Sequence, residues 1–199
     1  MSEQPTDEVL MLRYKDGDLD AFEVLLERHQ QQIFSFVMRF CRDYHTAQDL
    51  VQEVFLRIIK SAKSYEPRAK FTTFLFTCAH NICIDHLRRS KLRRAVSISD
   101  PIGNPGSDLT VADVMSDEKA NPERDLHRQN FERALQQAVD QLPAEQREVF
   151  LLREQSHLQF EEIAKVVGCL PSTAKSRMRY ALQSIREKLE RQFSLADIA

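Results

Sequence analysis

The sequence predicts an all-α protein of two small helical domains joined by a flexible acidic linker. Apolar residues recur at helical spacing in most segments, and no segment shows the alternation of a strand. Only four Gly occur in 199 residues, which also favours helix. One stretch, residues 96–121, lacks periodicity and combines Pro and Gly with a run of acids. Domains are therefore predicted at 1–95 and 122–199, with the linker between them.

Four helices are predicted in the first domain. Asp7 can cap the first of them, and Gly17 marks the turn that follows it. The predicted bounds are 7–14, 19–40, 46–61 and 70–94. In the second and third helices the predicted core stripe consists of Phe22, Leu25, Leu26, Ile33, Phe34, Val37, Phe40, Leu50, Val51, Val54, Phe55, Ile58 and Ile59.

Four further helices are predicted in the second domain. Pro122 favours a helix start because its ring fixes the backbone of a first turn, and Pro143 separates that helix from the next. Gly168 suits the position after a helix end, and Ser172 or Thr173 can cap the last helix. The predicted bounds are 122–141, 144–154, 160–167 and from the cap to about 193.

The distribution of charge favours a nucleic-acid ligand, although the net charge is −2. Residues 61–95 carry eight cations and two acids, and residues 165–191 carry seven cations and two acids. The segment between them, 96–132, carries three cations and eight acids. The average therefore conceals two basic regions separated by an acidic one.

Composition also limits the class of protein. No stretch reaches the roughly 18–20 uncharged apolar residues that cross a bilayer, and the polar, acidic start MSEQPTDEVL does not resemble a signal peptide. The four Cys are scattered, without a disulfide-like framework, which fits a reducing compartment. We expect a soluble, cytoplasmic protein that does not insert into a membrane.

A helix-turn-helix is predicted from the stretch FEEIAKVVGCLPSTAKSRMRYAL, residues 160–182. At about 100° per residue, one face of its last helix is apolar, with Ala174, Met178, Ala181, Leu182, Ile185 and Leu189. The opposite face carries groups suited to phosphates and base edges: Ser172, Thr173, Ser176, Arg177 and Tyr180, flanked by Lys175 and Arg179. The alternative is an ordinary helical hairpin with a basic outer face.

The fourth predicted helix joins an aromatic start to a basic end. Phe71, Phe74 and Phe76 lie in its first two turns, and its last turns hold five cations, Arg88, Arg89, Lys91, Arg93 and Arg94. Aromatic rings stack on exposed bases at about 1–3 kcal/mol per base, while cations hold the backbone. Since Phe76 lies about 200° from Phe74, at least one ring can face outward, although any single Phe can also be a core residue. Asn81 and Asp85 follow on the polar side, an arrangement that suits melted nucleic acid better than rigid duplex.

Metal binding and catalysis have little support. His80, Cys83 and His86 share one helical stripe but span about 9 Å along the axis, too far for both ends to reach one tetrahedral ion. No second cluster supplies partners. The sequence also lacks a Gly-rich phosphate loop, a nucleophile motif and an evident carboxylate pair. We therefore predict a binding protein with no enzymatic activity, cofactor or metal.

Taken together, these residues resemble the sigma factors of bacterial RNA polymerase, specifically the two-domain extracytoplasmic-function (ECF) group. Three stretches carry the resemblance, and together they cover nearly the whole chain: KDGDLDAFEVLLERH, DLVQEVFLRIIKSAKSYEPRAKFTTFLFTCAHNICIDHLRR and LPAEQREVFLLREQSHLQFEEIAKVVGCLPSTAKSR. The resemblance implies a region 2-like first domain and a region 4-like second domain. It further implies that the chain directs core polymerase to specific promoters, for example in a stress response.

The resemblance assigns roles to the first domain. Asp49, Gln52 and Glu53 fall where the family docks on the polymerase clamp, and they point away from the predicted core stripe, as a plain solvated face also would. The loop from Tyr65 to Lys70 corresponds to the family's pocket for a base flipped from the non-template strand of the −10 element. Three further groups of residues complete that −10 site: Phe74, where the family usually has Trp; Asn81, whose amide can read a base edge; and Arg88, Arg89, Arg93 and Arg94, which would follow the backbone upstream.

The resemblance also assigns the second domain and the partners. The recognition helix would read the −35 element through the seven residues of its polar face, although Leu170-Pro171-Ser172 replaces the family's more common proline-then-glycine approach. The linker would lie along the RNA-exit path of the polymerase. The implied partners are core RNA polymerase, promoter DNA in duplex form and as a melted non-template strand, and an anti-sigma factor.

Two other functions remain open from the residues alone. A duplex-binding repressor or activator would use only the helix-turn-helix, would act as a dimer on a palindromic operator, and would leave DLVQEVF and the aromatic helix unexplained. A metal- or redox-responsive sensor would use the stripe of His80, Cys83 and His86.

Overall fold

The computed structural model describes residues 4–96 and 122–193, and within those ranges the all-helical prediction is confirmed. The helices are α1 (Asp7–Lys15), α2 (Leu19–Cys41), α3 (Tyr44–Ser61), α4 (Phe71–Val96), α5 (Pro122–Asp140), α6 (Ala144–Ser156), α7 (Phe160–Val167) and α8 (Pro171–Gln192), with a single 3-10 turn, Ala62–Ser64, after α3. None of these helices is long and apolar enough to cross a bilayer. Residues 97–121, which are the predicted linker without Val96, lie outside the description. The side chains of residues 91, 93–96 and 122–127 also lie outside it.

Side-chain caps set the starts of the first three helices. Thr6 caps α1, since its Oγ1 accepts the Val9 amide at 3.4 Å, so the prediction that Asp7 is the cap was wrong. Asp18 caps α2 in the same way. Asp43 accepts the Thr46 amide at 2.7 Å, and this cap starts α3 two residues earlier than the sequence suggested.

The last two helices are separated by a tight turn. Gly168 ends α7 in the left-handed region, with φ of 70°, and its amide donates to the Ala164 carbonyl. Helix α8 then begins at Pro171, so Ser172 and Thr173 lie inside its first turn and do not cap it. Proline suits this first position because it has no amide hydrogen to leave unpaired.

Aromatic residues of α2 and α4 form the core that fixes these two helices together. Phe36, Phe71 and Phe76 are fully buried, and Phe36 meets Phe76 edge to face with ring centroids 5.2 Å apart. Leu25 and Ile33 complete the buried face of α2. The direction of α4 is therefore set by packing near its start.

Two residues of the predicted apolar stripes are exposed. Ile59 is 38% exposed because α3 buries a single face, which Val54 and Ile58 already occupy. Leu182 is 49% exposed, whereas its neighbours Ala181 and Ile185 are buried. In both helices the apolar stripe is wider than the face that packs.

A carboxylate joins the start of α7 to the start of α4. Oε2 of Glu162 accepts the Gln159 amide at 2.8 Å and so closes a capping box on α7. Its Oε1 accepts a hydrogen bond from the Thr73 hydroxyl at 3.2 Å and lies 3.3 Å from the Lys70 ammonium. Burial opposes the charge on Glu162, but these bonds outweigh it, and the pKa of the carboxyl is lowered from its ordinary 4.5.

The described helices divide into two compact units. One contains α1 to α4, the second half of α6, α7 and the first turn of α8, and the other contains α5, the first half of α6 and the rest of α8. In the second unit, Phe131 of α5 contacts Phe193 with ring centroids 5.8 Å apart, and Val149 and Phe150 are buried. The predicted domain boundaries at residues 95 and 122 stay a prediction.

The Glu162 contacts predict a pH-dependent contribution to stability. Because the folded-state pKa is lowered, the contribution is complete above pH 4.5 and is lost as the pH falls through the folded-state value. We expect Glu162→Gln, which keeps an oxygen for the capping box, to lower the free energy of unfolding by about 1 kcal/mol at neutral pH. Denaturant unfolding at a series of pH values should show the difference from wild type vanishing in acid. An equal difference at every pH would contradict the account.

The turn before α8 predicts a cost for adding a side chain at Gly168. A Cβ there would meet no atom within 4 Å, so the cost comes from the positive φ alone. Gly168→Ala should lower the free energy of unfolding by about 1 kcal/mol, and Gly168→Asn should lose less because Asn tolerates the left-handed region. Thermal unfolding of the two variants checks this order. Equal losses would show that backbone strain is not the cause.

Candidate nucleic-acid and partner interfaces

The three aromatic residues at the start of α4 are not equivalent. Phe71 is 1% exposed and Phe76 is fully buried, whereas Phe74 is half-buried. The Phe74 ring lies 5.6 Å from the ring of Tyr65 and 6.3 Å from that of Phe71. Of the three, Phe74 is therefore the ring with a face available to a ligand.

The loop before α4 is exposed along its length, except at its first residue. Residues 66–70 are all exposed, but Tyr65 is 6% exposed, and its ring packs against Phe71 and Phe74. Burial, with the nearby carboxylates of Glu8 and Asp7, raises the pKa of Tyr65 to about 12. A ligand in this loop would meet the Tyr65 backbone and the neighbouring side chains, not the phenol.

Lys70, at the end of the loop, already has a partner. Its ammonium lies 3.3 Å from Oε1 of Glu162, yet two-thirds of its side chain is open to solvent. For Lys70 to bind a phosphate, its ammonium would have to exchange Glu162 for the phosphate. Lys70 is exposed but Glu162 is mostly buried, and after the exchange the carboxylate would keep the Thr73 hydroxyl and the Gln159 amide as its partners.

Along the rest of α4, an amide and then guanidinium groups follow the aromatic ring. Asn81 is exposed seven residues after Phe74, on the same face and about 10 Å further along the axis. Arg88 and Arg89 are exposed beyond it, and Arg88 lies 3.8 Å from the Asp85 carboxylate. The backbone of residues 93 and 94 is helical, but the predicted contacts of Arg93 and Arg94 concern side chains outside the description.

The polar face of α3 also carries apolar side chains. Asp49, Gln52 and Glu53 are all exposed, as predicted for a docking surface or a solvated face. Leu56, which is 53% exposed, and Ile59 continue the same face for two further turns. We call these five residues the α3 face. The sequence carried a signal for Leu56, since positions 49, 52, 56 and 59 recur at helical spacing.

Helix α8 has a buried apolar face and an exposed basic face. Ala174, Met178, Ala181 and Ile185 are buried. The predicted −35 residues lie on other faces: Ser172, Lys175, Arg179 and Tyr180 are exposed, and Thr173, Ser176 and Arg177 are half-buried.

Both arginines that are predicted to contact the −35 element have partners within the structure. Arg177 donates to the Glu145 carboxylate at 2.6 Å, and Arg179 stacks on the Tyr180 ring at 5.1 Å. Arg179 and Tyr180 thus present a combined flat surface to solvent, whereas Arg177 would have to leave Glu145 to contact DNA.

The stripe of His80, Cys83 and His86 does not form a metal site. His80 and Cys83 are buried, and burial strongly raises the pKa of the Cys83 thiol, which opposes the thiolate that a metal needs. Among the residues that the structure describes, no three His, Cys, Asp or Glu side chains are placed to hold an ion. What the exposed surfaces of α3, α4 and α8 offer is binding chemistry: stacking, amide hydrogen bonds and cations.

Two family models match the chain. Residues 25–93, which include α3 and most of α4, match sigma-70 region 2, and residues 132–185, which include α6, α7 and most of α8, match sigma-70 region 4. A helix-turn-helix regulator acting outside the polymerase, the main alternative from the sequence, does not account for the first of these matches.

Known proteins show the same relationship over nearly the full length. The RNA polymerase sigma-H factor of Pseudomonas aeruginosa is 31% identical over 96% of this chain and 97% of its own. The ECF RNA polymerase sigma-E factor of Escherichia coli K12 is 30% identical over 96% of this chain and 97% of its own. The sigma factor RpoE of Bartonella quintana, solved with the anti-sigma factor NepR, has the same fold: its TM-score is 0.68 at 21% identity, over 86% of this chain and 98% of its own. The chain therefore belongs to the ECF group of sigma factors, the non-enzymatic subunits that direct RNA polymerase to promoters.

Proposed function

We propose that this sigma factor opens promoters by placing α4 across the boundary between paired and unpaired DNA. The proposal depends on the order of groups along this helix: the half-buried Phe74 ring, then the exposed Asn81 amide, and then the exposed Arg88 and Arg89. At 1.5 Å per residue, the distance from the ring to the first guanidinium is about 21 Å along the axis, or some six base-pair steps of duplex. A single helix can therefore contact both forms of DNA at once.

At the aromatic end, the proposed ligand is a base flipped from the non-template strand of the −10 element. The exposed loop 66–70 and the half-buried Phe74 ring would enclose the base, and Asn81 would supply a donor and an acceptor for its edge. Phe74 supplies a stacking face but not the indole donor of the Trp that is usual in the family. We therefore expect this pocket to hold its base through stacking and through Asn81.

At the basic end, Arg88 and Arg89, continued by Arg93 and Arg94, would hold the phosphates of the upstream duplex. Guanidinium groups on phosphates add affinity and fix the register without reading sequence. Sequence at the −35 element would be read by α8, where Lys175, Arg179 and Tyr180 are exposed.

The proposed polymerase-docking surface is the α3 face. Its acids and Gln52 give it polarity and charge, and Leu56 and Ile59 give it apolar area that is otherwise left in water. A mixture of apolar side chains with polar neighbours is typical of protein interfaces. Leu56 is therefore added to the three residues proposed from the sequence.

The proposed partners follow from the family. The Bartonella sigma factor was solved as a complex with an anti-sigma factor, and we infer that a protein of that class also binds this chain and covers its DNA- and polymerase-binding faces. The proposed place of action is the cytoplasm, where polymerase and promoters are found.

Removal of the Asn81 amide should impair promoter opening. We expect Asn81→Ala to reduce promoter-specific transcript in a reaction with core polymerase by about tenfold, the effect of losing one well-made hydrogen bond. Gln30→Ala, which removes an exposed amide from α2, is the matched control and should leave transcription unchanged. If the wild-type chain and core polymerase give no promoter-specific transcript, the proposed function is wrong. If Asn81→Ala transcribes normally, only the role of Asn81 is wrong.

Changing the charge of the α3 face should weaken binding to core polymerase. We expect Glu53→Lys and Leu56→Asp each to lower the affinity by about tenfold or more, as losses at central interface positions do, with the free energy of unfolding nearly unchanged because both sites are exposed. Glu23→Lys, at an exposed position of α2, is the matched control. Fluorescence anisotropy with labelled core polymerase measures the affinities. Wild-type affinity in both variants would place the docking surface elsewhere.

A further inference from the structure

The exposed loop before α4 is tied at both ends to one helix that the proposed function does not use. At the start of the loop, the Lys15 ammonium donates to the Tyr65 carbonyl at 2.9 Å. At its end, the Phe71 amide donates to Oε1 of Glu8 at 2.6 Å. Glu8 and Lys15 lie two turns apart on the same face of α1, about 10 Å along its axis. The residues between the two ties, 66–70, are all exposed.

The Glu8 contact supplies what the first turn of α4 lacks. A helix leaves its first amides unpaired, and a Ser, Thr, Asp or Asn before the helix normally accepts one of them. Here Lys70 occupies that position, and the first turn of α4 contains no acid. The carboxylate of Glu8, which belongs to α1, accepts the hydrogen bond of the Phe71 amide. It also places a negative charge at the positive end of the α4 dipole.

Helix α1 is itself held firmly enough to serve as a support. Leu10 and Met11 are buried, and α1 packs against α2. At its start, the Asp7 carboxylate lies 2.8 Å from Arg28 and 2.7 Å from His29 of α2. The ring of His29 in turn packs on Phe71, with centroids 5.6 Å apart. The support for the loop is therefore part of the same packed body as the core.

We propose that α1 positions the base-capturing loop, with Glu8 and Lys15 holding its two ends so that residues 66–70 are already arranged when a flipped base arrives. This inference rests on the proposed function of the loop. Neither residue is assigned a contact with DNA. They restrict the loop to fewer conformations before binding, so less conformational entropy is lost when the base binds. This raises affinity for the base without adding a contact.

The test uses holoenzyme assembled from the full chain and core polymerase. The probe is a fluorescent single-stranded oligonucleotide that carries the −10 non-template sequence of a promoter at which this holoenzyme initiates. Glu8→Ala and Lys15→Met should each weaken binding of this oligonucleotide about three- to tenfold, as expected for one lost hydrogen bond, while affinity for core polymerase stays unchanged. Glu8→Gln keeps an oxygen acceptor and should restore most of the binding. Glu23→Ala, which removes an exposed acid from α2, controls for net charge.

The outcomes separate this inference from the proposed function. Wild-type oligonucleotide binding by both Glu8→Ala and Lys15→Met would overturn the positioning role, as would an equal loss of core polymerase binding. If the wild-type holoenzyme itself does not bind the oligonucleotide, base capture fails. If Asn81→Ala is weak and the α1 variants are normal, base capture stands and only the positioning role of α1 fails.

Discussion

The site depends above all on how the first two turns of α4 are buried. Phe71 and Phe76 both point into the core, where Phe76 meets Phe36 of α2. With these two rings fixed, the helical spacing leaves Phe74 half-buried at the edge of the core and Asn81 exposed two turns later. Packing therefore sets the positions of the groups proposed to contact a base, and a change of core volume would be felt at the DNA surface.

Two carboxylates from distant parts of the chain meet the same short region. Glu8 accepts the Phe71 amide, and Glu162 accepts a bond from Thr73 while pairing with Lys70. They act differently. Glu8 satisfies a backbone amide, whereas Glu162 pairs with the ammonium of Lys70, which a DNA phosphate could bind in its place. The start of α4 thus combines a fixed backbone with an exchangeable cation, which suits a surface that must bind DNA and release it.

Sequence signals were sufficient to place every α-helix within residues 4–96 and 122–193: apolar periodicity placed most of them, and cap, Gly and Pro positions placed α1 and α5. Helix starts were less certain where two capping residues compete, as with Thr6 and Asp7, or where a cap lies before the periodic segment, as with Asp43. Periodicity also could not separate Ile58 from Ile59, since both are apolar and only packing shows which of them is covered.

The candidate site could be predicted as a set of residues but not as an arrangement. Motif resemblance pointed to the loop, Phe74 and Asn81. It did not show that the Tyr65 ring is buried or that Lys70 is paired. The contacts that hold the loop join residues far apart in sequence: 63 positions separate Glu8 from Phe71, and 50 separate Lys15 from Tyr65. No local pattern records such pairs.

The central claim is that α4 contacts unpaired bases at one end and duplex at the other. It is tested most directly by comparing holoenzyme affinity for three forms of one promoter fragment: full duplex, single-stranded −10 strand, and a fork in which the duplex ends within the −10 element. The account predicts that the fork binds most tightly, that Asn81→Ala removes its advantage over duplex, and that Arg88→Ala removes its advantage over the single strand. Equal affinity for fork and duplex, unaffected by either substitution, would contradict it.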